Sequence, residues 1–189
     1  MRALVFLCVC AAAGASFAAV PPATPQLAAW VPHEVLVQYQ NLPVAYTCDA
    51  LWYKVGDILR AVGAWTYVSI TPRDCKPQTS GDGLSPTLSV HFLALETLAP
   101  SAARWAQTHA VIRQVDLRAG NPKSLDTGDC ELLRQTRDDL LSLMGAVQLG
   151  NQDLQCRARP ASYHFDLSVR ALQAVPALPA FVARSPAGR

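Results

Sequence analysis

Two stretches decide the fold: TCDALWYKVGDILRAVG, from Thr47 to Gly63, and DCELLRQTRDDLLSLMG, from Asp129 to Gly145. In the first, Leu51, Val55, Ile58, Leu59 and Val62 stand at 0, +4, +7, +8 and +11, which is one face of an α-helix. Thr47 has the hydroxyl of an N-cap, and Gly63 stands where a left-handed C-cap is wanted. The second stretch repeats the plan. Asp129 is its cap, Leu133, Leu140, Leu141 and Met144 keep the equivalent face over 130–144, and Gly145 stops it.

Aligned on Cys48 and Cys130, the matches run outward. Leu51, Asp57, Ile58, Leu59, Gly63 and Ala64 correspond to Leu133, Asp139, Leu140, Leu141, Gly145 and Ala146, and the next cysteines follow at +27 (Cys75) and +26 (Cys156). Upstream, His33-x-Val35-Leu36-x-Gln38 matches His109-x-Val111-Ile112-x-Gln114, each preceded by a tryptophan, Trp30 or Trp105. Downstream, Ser89-x-His91-Phe92 matches Ser162-x-His164-Phe165. The common order points to a duplication with a period of about 75–80 residues.

Alternation of apolar and polar residues predicts strands over 33–40, 64–71 and 87–95 in the first copy and over 109–117, 146–156 and 162–172 in the second. Each unit reads β-α-β-β. The expected fold is α+β, with about eight strands, two helices packed on a mixed sheet, and two disulfides. The boundaries expected are a signal peptide over 1–18, a loose segment over 19–27, one domain over 28–174 made of repeats 28–96 and 103–172, and a loose tail over 175–189.

Met1-Arg2, the apolar run to Ala15 and the small residues Ser16 and Ala18 make an export signal. The run is shorter than the ~20 residues a bilayer span needs, so no membrane span is expected in the mature chain. The Ala/Pro/Arg-rich style suggests a bacterium, hence a periplasmic or secreted protein of the envelope. Removal of the signal leaves four cysteines, Cys48, Cys75, Cys130 and Cys156, and an even number in an exported chain reads as disulfides. A 15-residue helix runs about 22 Å and a following strand returns about as far. That geometry pairs Cys48 with Cys75 and Cys130 with Cys156. It also makes the two strands flanking each helix parallel, joined by a right-handed crossover.

Sixteen basic against 14 acidic residues give no basic field for nucleic acid. No phosphate-cradling glycine loop or dinucleotide fingerprint occurs, and no cofactor is expected. His33, His91, His109 and His164 occupy matched positions in the two copies, so a pseudo-symmetric metal site is one reading and inherited strand histidines the other. A small periplasmic hydrolase is the second reading, since a catalytic Asp/Glu pair carries little sequence signal; against it, the serines lack a nucleophile elbow, and Asp57 and Asp139 fall off the centre of the apolar stripe. The first reading is binding. The copies differ where a contact surface would differ: Trp52, Tyr53, Trp65 and Tyr67 of the first copy face Arg134, Gln135, Val147 and Leu149 of the second. These four aromatics are the candidate binding residues for an envelope protein or peptide. The rival role of Trp65 and Tyr67 is packing between the units or under the helix.

Overall fold

The structure is a computed structural model. It describes residues 24–42, 44–65, 67–73, 86–97, 105–150, 154, 156 and 165–175. The expected signal peptide, the tail beyond 175, Cys75 and His164 lie outside the described residues.

The elements run β1 (Gln26–Gln38), α1 (Cys48–Val62), β2 (Ser69–Pro72), β3 (Thr87–Thr97), β4 (Gln107–Arg118), α2 (Cys130–Thr136), β5 (Val147–Gln148) and β6 (Asp166–Ala174). The first helix forms as its sequence dictates. Thr47 Oγ1 accepts a hydrogen bond from the Ala50 N–H at 3.2 Å, and Gly63 takes φ +116° beyond the last turn. The second is shorter than expected: regular α-helix ends at Thr136, and a π-helical turn, Arg137–Leu141, carries the chain on. Asp129 does not cap it through its side chain; that carboxylate is used elsewhere, as described below.

The sheet order is β2-β3-β1-β4-β6-β5, and every neighbouring pair is antiparallel. Two expectations are corrected here. The described residues hold six strands, because a β-α-β-β unit contains three and two units therefore six. The sheet is not mixed. β1 and β2 do run the same way, since both oppose β3, but β3 inserts between them. The crossover fixes the direction of the returning strand, and the β2–β3 hairpin takes the position beside β1. Gln26 and Leu27, expected in the loose segment, are the first residues of β1 and pair with Ala110 and His109.

Each half thus has the same element order and the same strand order, outer–middle–inner, with the inner strands β1 and β4 adjoining. The ladders also correct the register of the match. Val37 pairs with Leu88 and Leu117 pairs with Leu167; Val35 pairs with Val90 and Val115 with Val169. These pairs occupy the same places in the two halves, so the counterpart of His33 is Arg113 and not His109. Phe92 sits mid-strand while Phe165 precedes β6. An alternating motif survives a shift of four residues unchanged; only the buried partners across the ladder decide between registers.

Both helices cover one face of the sheet. Val37, Leu88, Val90, Phe92, Leu117, Leu167 and Val169 join Leu51, Ile58, Leu59, Leu133, Leu140 and Leu141 in one apolar core. On the other face Ala28, Trp30, Leu95 and Ala110 form a small second cluster.

The halves are joined at two places. The β1–β4 ladder runs only from Gln26 to Ala29 against Gln107 to Ala110, with the Trp30 N–H reaching Ala106 O at 2.9 Å. The next residue on that edge is Pro32, which has no N–H to give. At the far ends of β1 and β4, each helix reaches the segment that leads into the other helix. Lys54 of α1 binds Ser124 O, Asp126 and Asp129; Gln135 of α2 binds the N–H and C=O of Gln40, and Thr136 meets the Tyr39 hydroxyl at 3.0 Å.

Candidate functional site

Trp65 and Tyr67 follow α1 on the way to β2. Gly63 turns the chain, and the Trp65 N–H donates to Leu93 O at 2.9 Å, so this segment extends the edge of the sheet. The Trp65 indole is 43% exposed and stands edge-on against Trp30, with centroids 4.8 Å apart. Tyr67 is 75% exposed. A cleft of about 380 Å³ opens beside them, lined by Trp30, Arg60, Gly63, Trp65 and Gln173 among others. Packing against Trp30, in the same half of the chain, therefore accounts for part of Trp65 and for none of Tyr67.

Trp52 and Tyr53 lie in the first half of α1, ring to ring at 6.3 Å, with Tyr53 exposed and Trp52 half-buried. The four aromatics thus form two pairs, one on the helix and one beyond its end, and no ring contact joins the pairs among the described residues.

The three histidines among the described residues do not converge. His33 stacks on Phe92 at 5.1 Å, and its Nε2 lies 3.2 Å from Glu96 Oε1 without the alignment of a hydrogen bond. His91 faces Ser89 at 3.2 Å and Glu34 at 3.7 Å. His109 is exposed at the β1–β4 joint. No group of three metal-ligating side chains occurs among the described residues. Asp57 is held by Arg60. Asp139 sits in the π-turn, its carboxyl raised by partial burial and by the neighbouring Asp138 charge.

Sequence reasoning missed the main buried polar cluster. Asp129 is almost fully enclosed and accepts from the Tyr46 hydroxyl at 2.6 Å, Lys54 Nζ at 2.6 Å and the Asp126 N–H at 2.6 Å. Burial, then the Asp129 carboxylate, push the Tyr46 phenol well above its ordinary range. Burial pulls the Lys54 ammonium down, but its bonds to Asp126 and Asp129 outweigh that and hold it raised. With every Lys54 donor directed at an acceptor, this cluster is a clamp between halves; it has no spare group for chemistry. A sequence signal existed only in part: counted from Cys48 and Cys130, Lys54 stands where the second half has Thr136, which marks a difference but not its partner.

Cys130 and Cys156 form a disulfide with Cα atoms 5.4 Å apart. Cys48 is also disulfide-bonded, and the partner expected for it, Cys75, lies outside the described residues. No helix among the described residues is long and apolar enough to cross a membrane. No known family, curated protein or solved structure matches the chain.

Proposed function

We propose that this is an exported, disulfide-bonded, non-catalytic protein of the bacterial envelope that binds an extended segment of a protein partner along β2. The observation that carries the reading is the ledge made by Trp65 and Tyr67: two exposed aromatics on the segment that leads into β2, the last strand on one side of the sheet. The outer edge of β2 has no ladder partner among the described residues, which suits main-chain pairing, and the rings supply the side-chain contacts. Export is supported by the Met1–Ala18 signal and by the Cys130–Cys156 bond. Duplication is supported by the identical element and strand order of the halves.

The test is capture from envelope extract with the mature chain and with its Trp65→Ser/Tyr67→Ser variant. The variant is expected to melt within a few degrees of the parent and to lose the specifically captured partner. An unchanged set of captured proteins would overturn the reading, and so would collapse of the fold, since it would make the rings core.

A further inference from the structure

A second cleft lies away from the aromatic ledge. Its volume is about 450 Å³, and Leu95, Ile112, Met144, Val147 and Leu172 line it together with Arg170. That size falls within the ~300–1,000 Å³ usual for small-molecule sites. Ile112 pairs with Leu172 and Val147 with Arg170 across the ladders, so these four side chains stand on one face of the sheet, opposite the helices. Ile112 is 50% exposed and Val147 63%, bare aliphatic surface on the two strands that flank β6.

Arg170 sets the charge of the site. It enters no ion pair and no side-chain hydrogen bond among the described residues, whereas Arg60, Arg134 and Arg137 are all paired with acids. Among the described residues Glu96 is the only acid lining the cleft, and it alternates with Leu95, so its side chain turns to the helix face of the sheet, where its carboxylate lies 3.2 Å from His33 Nε2. The lining therefore offers one unpaired guanidinium beside a run of aliphatic side chains. A guanidinium forks naturally onto a carboxylate.

We propose that this cleft binds a fatty-acid-like monocarboxylate, with the carboxylate on Arg170 and the alkyl chain over Ile112, Val147, Leu172 and Leu95. The site is independent of the ledge at Trp65 and Tyr67. One cation calls for one anionic charge, and among the described lining residues no other charged group occurs except Glu96, which turns to the helix face, so the rest of the ligand is an unsubstituted apolar body.

Isothermal titration of the mature chain with decanoate, kept below its micelle concentration, tests this beside 1-decanol as the uncharged control. Decanoate is expected to bind one to one, with the alcohol about tenfold weaker or more, the size of one charge-assisted hydrogen bond. Arg170→Gln, a change at an exposed position, is expected to keep the melting temperature and to weaken decanoate by about tenfold. Ile112→Asp is expected to weaken both ligands, and amide shifts on binding should centre on β4 and β6. No decanoate binding up to about 1 mM, equal binding of the alcohol, an unaltered Arg170→Gln variant, or shifts centred elsewhere would each overturn the proposal.

Discussion

Lys54 and Asp129 clamp the two halves of the chain together: Nζ of one, on the first helix, lies 2.6 Å from Oδ2 of the other, at the threshold of the second. The side chains are 12% and 2% exposed, so the pair sits where solvent screens it little. Asp126, the other acid on Lys54, is 80% exposed.

That contrast gives the first prediction. Asp129→Ala leaves the Lys54 ammonium and the Tyr46 hydroxyl without their buried acceptor, and is expected to cost about 3–5 kcal/mol. Asp126→Ala is expected to cost under about 1 kcal/mol. Urea unfolding of both variants checks the ordering, which would fail if the two losses were equal.

Alkaline pH is the second lever. Tyr46 and Tyr39 are raised, both first by burial; burial lowers Lys54, but its two carboxylates together outweigh that and leave it raised. In the unfolded chain these groups lose protons near pH 10, while the folded chain still holds them. Their stabilisation is therefore complete below about pH 10 and is lost as pH climbs through the folded values. Unfolding free energy should be level from neutral pH to about pH 9 and fall beyond about pH 10. Tyr46→Phe should flatten that decline, measured by denaturant midpoints across the range.

The disulfide is the third. Cys130 and Cys156 close a loop of 26 residues, for which chain entropy gives roughly 3–4 kcal/mol. Cys130→Ser/Cys156→Ser should lower the unfolding free energy by about that amount, a large part of the total for a domain of this size. A midpoint that ignores the substitution would show the loop to be held by packing alone.

Fourth, Gly63 and Gly145 end equivalent helical segments yet should respond differently. A Cβ on Gly63 would stand 2.7 Å from Leu172 O, at φ +116°. Gly145 has φ +62° and open space around it. Gly63→Ala is expected to cost about 2 kcal/mol or more, and Gly145→Asn under about 1 kcal/mol, since asparagine accepts that backbone. Thermal melts of the two variants decide the matter.

What was legible in the sequence follows the range of the forces involved. The first helix was readable to the residue, because Thr47 and Gly63 act within a turn of what they cap. Pairing of Cys130 with Cys156 followed from lengths alone. The start of β1 was not readable: Gln26–Pro32 carries adjacent alanines and a proline, and becomes strand because β3 and β4 pair with it. The π-turn after Thr136 was hidden because leucines at 140 and 141 satisfy the spacing of an ordinary helix. Strand neighbours and register depend on contacts between distant segments, so the histidine match looked sound locally and failed across the ladder. At the ledge, sequence named Trp65 and Tyr67 but not Trp30, the ring that steadies the first of them. Nothing local announced that Arg170, Ile112 and Leu95 would meet.

The reciprocal joint has a consequence for how such a molecule can be divided. Each half contributes a strand start and a helix flank to the seam, but the two helix contacts differ in kind: Lys54 meets a pair of carboxylates, Gln135 a backbone amide. The seam shares the layout of a two-fold dimer interface and not its chemical identity. Two pieces cut between Thr97 and Trp105 would therefore still recognise one another, whereas a twin of the first half would bring Lys54 no acid to grip.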